Sequence, residues 1–298
     1  METPDFRSGY IGIIGKPNVG KSTLLNRLVE HKVAAVSPKP QTTRNRILGI
    51  KTTPKAQMIF VDTPGIHEPK GPFHRFMVTE ALRALRDVDL VLLLVEAPGE
   101  DRTGDIKVVQ SLRKCNAPAI LVINKIDLVP KPSLLPIMEH LTALHPFDAV
   151  VPISALTGDG VDILEQEVQK RLPPGPQYFP PDQITDLPER FLVGEVVREK
   201  VFHLCGEEIP YAVAVVVEEF KEREPPKPIY IRATLFVEKE SQKPILIGAK
   251  GAMLKKIGSG ARKELEELLE RQVFLELWVK VERNWSRDTK SLRHLGYG

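Results

Sequence analysis

Gly15-Lys16-Pro17-Asn18-Val19-Gly20-Lys21-Ser22 constrains this chain more than any other stretch. It follows an apolar run at residues 10–14 and precedes a helix-like segment at 22–30, so it joins a buried strand to a helix. Glycines in such a turn let backbone N–H groups point inward at a helix N-terminus, where they cradle phosphate oxygens. Lys21 would neutralise phosphate charge, and the Ser22 hydroxyl, followed by Thr23, would reach a bound Mg²⁺. A glycine turn ahead of an ordinary core helix is the bland alternative, and the strand–helix setting weighs against it.

The surrounding pattern supports an α/β domain. Residues 58–61, 90–95, 120–123 and 150–153 join 10–14 as short runs rich in Val, Ile and Leu. Such runs suit a mostly parallel sheet covered by helices. Segments 22–30, 73–86, 103–114 and 133–144 serve as crossover helices, which makes a doubly wound sheet. Pro173, Pro174, Pro176, Pro180, Pro181 and Pro188 then break both periodicities. The expected organisation is therefore a first domain at 1–175, a semi-rigid linker at 176–187 and a second domain at 188–298.

Three further motifs stand at strand ends in the first domain. Asp62-Thr63-Pro64-Gly65 follows residues 58–61; its carboxylate can hold Mg²⁺ and Gly65 can approach a γ-phosphate. Asn124-Lys125-Ile126-Asp127 follows 120–123. A carboxylate at Asp127 can accept from both N1–H and the exocyclic amine of guanine, a donor pair that adenine lacks. Ser154-Ala155 ends the last strand, where a backbone N–H can meet guanine O6. Alone, an Asp-x-x-Gly is usually a turn and Ser-Ala carries nothing. Four motifs in this order, each at a strand's carboxyl end, specify GTP and GDP with Mg²⁺.

Between the first two motifs lies Gln41-Thr42-Thr43-Arg44, where a threonine could close over Mg²⁺ and the γ-phosphate. Thr43 is favoured over Thr42, and a plain polar loop is the alternative. Lys21, Thr43, Asp62, Gly65 and Asn18 form the expected catalytic set, and Ser22, Thr43 and Asp62 the Mg²⁺ set. Ile66 follows Gly65, where many GTPases carry a glutamine that orients the attacking water. An apolar side chain cannot do that, so a nucleotide-binding scaffold without turnover stays open.

The second half reads as α-β-β-α-α-β. A helix capped by Asp186 runs to about Leu204, with Phe191, Val197, Val201 and Leu204 near one face. Strands follow at 211–217 and 229–237, an apolar segment at 245–257 split by glycines, a helix at 261–271 and a strand at 273–281. Gly248-Ala249-Lys250-Gly251 matches the Gly-x-x-Gly turn with which KH domains close two helix ends on a nucleotide backbone. The net charge of +3 is too small to argue for nucleic acid. Residues 241–263, however, carry Lys243, Lys250, Lys255, Lys256, Arg262 and Lys263 with no acid. From Pro181 onward 20 basic residues face 20 acidic ones, so the cations are segregated rather than abundant. RNA contact is expected at Gly248, Ala249, Lys250, Gly251, Lys255 and Lys256. The tail adds Arg283, Arg287, Lys290 and Arg293 around Trp285, which either stacks on bases or packs on its own domain.

The phosphate loop with Asn18, the Gln41–Arg44 run, the three strand-end motifs and Pro244-Ile245-Leu246-Ile247-Gly248-Ala249-Lys250-Gly251 together resemble the bacterial Era family. The likeness covers essentially the whole chain. It implies a P-loop NTPase fold followed by a smaller α+β domain of the KH type II class. It also implies binding near the 3′ end of small-subunit (16S) ribosomal RNA and a part in 30S subunit assembly. Peripheral association with the inner membrane and slow hydrolysis helped by K⁺, with Asn18 as a ligand, are implied in the same way. The protein is expected to be a monomer. It is expected to be cytoplasmic because Met1 to Tyr10 is polar, residues 90–95 are too short to span a bilayer, and Cys115 and Cys205 suit a reducing compartment. A C-terminal domain that docks a protein or the membrane surface is the alternative to RNA.

Overall fold

The computed structural model describes residues 6–66, 68, 69, 71–99 and 101–297. Residues 1–5 of the polar N-terminus thus lie outside it. Its first sheet is built from β1 (Arg7–Gly15), β2 (Ile47–Thr52), β3 (Ala56–Asp62), β4 (Leu90–Glu96), β5 (Ala119–Asn124) and β6 (Ala149–Pro152), in the order β2-β3-β1-β4-β5-β6. All neighbours run parallel except β2 and β3. β3 and β4 are buried on both faces, as crossover connections demand. The connecting helices are α1 (Lys21–Val29), α2 (Pro72–Arg83), α3 (Thr103–Ser111), α4 (Leu134–Thr142) and α5 (Val161–Arg171).

Two of these elements were not legible by pattern. β2, Ile-Leu-Gly-Ile-Lys-Thr, has no clear period and exists because its backbone pairs antiparallel with β3. α5 places only Val161, Leu164 and Val168 in the interior, a thin stripe on a polar helix. The proline-rich segment is laid on the sheet. Gln57 donates from Nε2 to the Phe179 carbonyl at 2.8 Å and accepts from the Tyr178 and Phe179 N–H groups. Thr185 Oγ1 donates to the Leu48 carbonyl at 2.6 Å.

The chain divides into two compact units, one of residues 1–34, 43–68 and 77–186, the other of 35–42, 69–76 and 187–298. The second unit takes in residues 35–42 because their polar groups are satisfied there. Val36 N–H donates to Glu199 at 2.9 Å, and Lys39 Nζ donates to the Phe202 carbonyl at 2.5 Å and to that of Cys205.

In that unit α6 (Glu189–Leu204), α7 (Ile209–Ala212), β7 (Ala214–Lys221), β8 (Ile229–Val237), α8 (Lys243–Ile247), α9 (Ala252–Leu268), β9 (Val273–Val281) and α10 (Thr289–His294) follow in order. The sheet is β7-β8-β9, antiparallel then parallel. Its core joins Val193, Val197 and Val201 of α6 to Ile231 and Leu235 of β8 and to Ile257, Ala261 and Leu265 of α9.

Three sequence expectations shift here. Asp186 does not cap α6: Pro188 is the extended residue before it, and the residue preceding a proline is pushed out of the helical region. Residues 209–212 form a helical turn rather than the start of a strand, because Pro210 sits at its first positions with φ already set for a helix. The helix expected from residue 261 begins at Ala252 and runs unbroken through Gly258, where a Cβ would lie 3.4 Å from the Leu277 side chain. Helix–sheet packing there outweighs glycine's low propensity.

Candidate functional site

The sheet order reverses around β1, and the carboxyl ends of β1, β3, β5 and β6 meet on one edge of the first unit. Gly15 closes β1, and the loop to α1 turns at Asn18 (φ 66°) and Gly20 (φ 97°). Gly20 caps α1 in the left-handed region and has no side chain to bond the N–H groups of the first helical turn. A Cβ at Gly20 would come within 2.3 Å of Asn124 Nδ2, so only glycine fits.

Asn124 explains that closeness. Its Nδ2 donates to the Val19 carbonyl at 2.7 Å, and its Oδ1 accepts from Ala155 N–H at 2.9 Å. One buried amide at the end of β5 thereby ties the phosphate loop to the Ser154-Ala155 turn. Ser154 is fully buried and its N–H donates to the Asp159 carbonyl at 2.8 Å. Asn124→Ala would orphan both backbone groups. It is expected to cost about 3 kcal/mol of stability, read as a lowered denaturant midpoint of the nucleotide-free protein. Lys125 takes φ 65° and its Nζ pairs with Glu96 at 2.5 Å, leaving Asp127 exposed in the turn Ile126–Leu128.

The hydroxyl cluster lies at the other end. Ser22 Oγ is 2.6 Å from both Thr43 Oγ1 and Asp62 Oδ2, and Thr43 Oγ1 donates to Asp62 Oδ2 at 3.5 Å. Thr42 turns away, donating from Oγ1 to the Lys39 carbonyl at 2.8 Å. Thr43 is therefore the threonine brought to Ser22 and Asp62. Asp62 is fully buried, and its Oδ1 has no hydrogen-bond partner. Burial raises its carboxyl to about 6, with Lys21 and Ser22 pulling the other way. Lys21 is buried too, and burial lowers its ammonium to about 8 against the opposing charge of Asp62. Its Nζ donates to the Lys16 carbonyl at 2.9 Å. An oxygen cluster with one orphaned carboxylate atom fits a hard dication, and a bound phosphate would supply the charge that Lys21 lacks.

Thr63 Oγ1 donates to the Ile13 carbonyl at 2.9 Å, and Ile66 N–H donates to that of Gly15 at 3.1 Å. These bonds hold Pro64 and Gly65 beside Pro17. The half-buried Ile66 side chain packs against the core cluster that contains Ile14, Leu85 and Val95. It offers nothing to an attacking water.

Sequence patterns missed the residues that hold this loop from outside. Lys16 Nζ pairs with Asp105 at 3.2 Å, and Asp105, 1% exposed, also takes Arg102 at 3.3 Å. Burial raises the Asp105 carboxyl while both cations oppose it. No local signal could have exposed a partner on α3, nor Glu96 as the counter-ion of Lys125.

In the second unit, Gly248 ends α8 at φ 73°, ψ 172°, Lys250 takes φ 50° and Gly251 starts α9 at φ 81°. Gly248 N–H donates to the Pro244 carbonyl at 2.8 Å and Gly251 N–H to that of Gly248 at 3.1 Å. Ala249 and Lys250 stand exposed at the tip, with Lys255 and Lys256 exposed one turn into α9. Trp285 is fully buried, donates from Nε1 to the Ala212 carbonyl at 2.9 Å and packs on Tyr297 with centroids 5.7 Å apart. It is a packing residue and is closed to base stacking, while Arg283, Arg287, Lys290 and Arg293 stay on the surface.

Residues 10–125 match the family described as "50S ribosome-binding GTPase", and residues 208–286 match the KH domain family. A protein called GTPase Era from Geobacter metallireducens is 53% identical over 297 residues, with all of both chains covered. Its counterpart from Geotalea uraniireducens is 52% identical over the same length and coverage. Among solved structures, Era in complex with MgGDPNP and nucleotides 1506–1542 of 16S ribosomal RNA superposes with a TM-score of 0.95 at 46% identity. That match covers 98% of this chain and 99% of the other. A point variant of Aquifex aeolicus Era bound to GDP·AlF4⁻ gives a TM-score of 0.94 at 44% identity, covering 98% and 100%. With the phosphate loop, the guanine-type turn and the Gly-x-x-Gly turn all in place, this chain belongs to the Era family of GTPases.

Proposed function

We propose that this GTPase binds the 3′ region of 16S ribosomal RNA through its second domain and uses GTP turnover to assist assembly of the 30S subunit. The observation that carries this is the full-length likeness to an Era structure holding nucleotides 1506–1542 of that RNA, together with the lysine-flanked Gly248–Gly251 turn. We assign residues 1–175 to the GTPase domain, 176–187 to the linker and 188–298 to the KH domain.

In the GTPase domain, Gly15, Lys16, Pro17, Asn18, Val19, Gly20, Lys21, Ser22 and Thr23 take the phosphates, chiefly through backbone N–H groups. Thr63, Pro64 and Gly65 approach the γ-phosphate, and Asp127, supported by Asn124 and Lys125, selects guanine beside Ser154 and Ala155. Ser22, Thr43 and Asp62 hold Mg²⁺, which when bound withdraws charge from the β- and γ-phosphate oxygens. Lys21 stabilises charge developing on the transferred phosphoryl group. A γ-phosphate would favour the position of Thr43 beside Ser22 and Asp62, so residues 35–42 just ahead of it respond to nucleotide state.

Hydrolysis is slow in the isolated protein because Ile66 leaves no side chain to orient water. We assign the remaining charge compensation to K⁺, with the Asn18 carboxamide as ligand. Asn18→Ala is expected to remove stimulation of phosphate release by K⁺ over Na⁺. An unchanged K⁺ response would sink that assignment. Because Asn18 has φ 66°, the alanine variant also carries about 1 kcal/mol of backbone strain, so GDP affinity should be measured beside it.

Filter binding tests the RNA assignment. The full chain should retain nucleotides 1506–1542 more tightly than a scrambled strand, with affinity falling as salt rises. Salt-insensitive or sequence-blind retention would favour a protein- or membrane-docking role for the second domain. Among the described residues no helix is long and apolar enough to cross a membrane, so any membrane contact of this part would be at a surface.

A further inference from the structure

Next to the Gly248–Gly251 turn, the second unit carries an open groove of about 750 Å³ between α6 and α9, which begins at Ala252. Lys200 and His203 line it from α6, and Lys255, Lys256 and Ser259 from α9. None of its lining residues is acidic. Two carboxylates border it: Glu264 takes the Lys200 ammonium in an ion pair, and Glu199, which accepts from Val36 N–H at 2.9 Å, also lies 3.5 Å from Lys200 Nζ and 3.9 Å from His203 Nε2. Lys255 and Lys256 are exposed and form no ion pair among the described residues. No Phe, Tyr or Trp lines the groove, so it offers bases no platform on which to stack. What it offers is positive charge over an apolar floor.

Its place along the helix matters. At 1.5 Å per residue, Lys255 and Lys256 stand roughly 6–8 Å along the axis beyond Gly251. That is comparable to the step between successive phosphates of one strand. An RNA backbone gripped at the Gly248–Gly251 turn therefore has its next phosphates within reach of these lysines, on the side of α9 that faces α6.

We propose that the α6–α9 groove is a second phosphate site, taking the RNA backbone beyond the Gly248–Gly251 turn without reading its bases. Glu264, the closer of the two carboxylates on Lys200, limits its strength. The inference rests on the RNA assignment made above. It adds α6 to the RNA surface and gives Glu264 a restraining part.

The opposite signs expected for two sets of variants make it testable, with nucleotides 1506–1542 of 16S RNA as probe. Lys255→Gln/Lys256→Gln should weaken binding of that RNA and of a scrambled strand by the same factor, about tenfold. It should also flatten the slope of log affinity against log salt by nearly two. Glu264→Gln removes the closer of the two carboxylates on Lys200, leaving Glu199 at 3.5 Å, and should instead tighten binding about threefold and steepen the slope by nearly one. In Lys200→Gln/Glu264→Gln that gain should vanish.

Unchanged affinity and slope in Glu264→Gln overturn the proposal, as does a gain that persists in the double variant. A gain seen only with phosphatidylglycerol vesicles overturns it too. Failure of wild-type protein to bind the RNA in a salt-dependent way would fault the underlying RNA assignment instead. Thermal midpoints of each variant separate a folding defect from a lost contact.

Discussion

Asp127→Asn is expected to lower GTP affinity by about four orders of magnitude and to raise affinity for xanthosine triphosphate. Guanine presents two donors on one edge, N1–H and the exocyclic amine, and a carboxylate accepts both. An asparagine amide presents one acceptor and one donor, so its N–H group would face the exocyclic amine. Sites built around such hydrogen bonds reject the wrong partner by about 10⁴–10⁵, because a desolvated polar group is left unpaired. Xanthine replaces the amine with a carbonyl, which restores complementarity to the amide. Asp127 sits exposed in a turn braced by the Lys125–Glu96 pair, so the exchange should leave the fold intact. Equilibrium titration with fluorescent GTP and xanthosine analogues checks it. Equal loss of both nucleotides would mean that the turn, not the base contact, had failed.

Gly248→Asp/Lys250→Asp is expected to lower affinity for the 16S RNA segment by about two orders of magnitude while GTP affinity stays at its wild-type value. Two effects add. Gly248 occupies φ 73°, ψ 172°, a region essentially restricted to glycine, and a Cβ there would meet the Met253 backbone nitrogen at 2.7 Å. Lys250 stands exposed at the tip, and reversing its charge turns a phosphate attraction into a repulsion. Lys250→Asp alone isolates the second effect and should lower the salt slope by about one. Filter binding gives the RNA affinity and nucleotide titration supplies the control. RNA binding that survived both variants would move the contact away from this turn.

Much of the nucleotide site was legible because its parts are local. The phosphate loop needs glycines at set intervals between a strand and a helix. Asp62 and Asn124 were expected at the carboxyl ends of apolar runs, and β3 and β5 end at those residues. Spacing alone separates Thr43 from Thr42 only weakly, and the 2.6 Å contact with Ser22 supports Thr43. The second domain was less legible. α9 hid behind Gly258 and Gly260, and the start of β7 was misplaced by the helical turn at Pro210. In both, packing against a sheet overrode what short-range propensity suggests.

The sequence by itself determined that a phosphate loop, a guanine-type turn and a Gly-x-x-Gly turn share one chain, since each is a run of neighbours with fixed spacing. Only the tertiary structure decided which distant groups hold those runs in place. Asn124 clips the phosphate loop to Ala155, Asp105 anchors Lys16, and Ile66 packs against the core. Trp285 became a packing residue for the same reason, because its indole is closed in by Tyr297 and the Ala212 carbonyl. Contacts of this kind depend on which strand ends and helix faces the fold brings together, and no spacing along the chain encodes them.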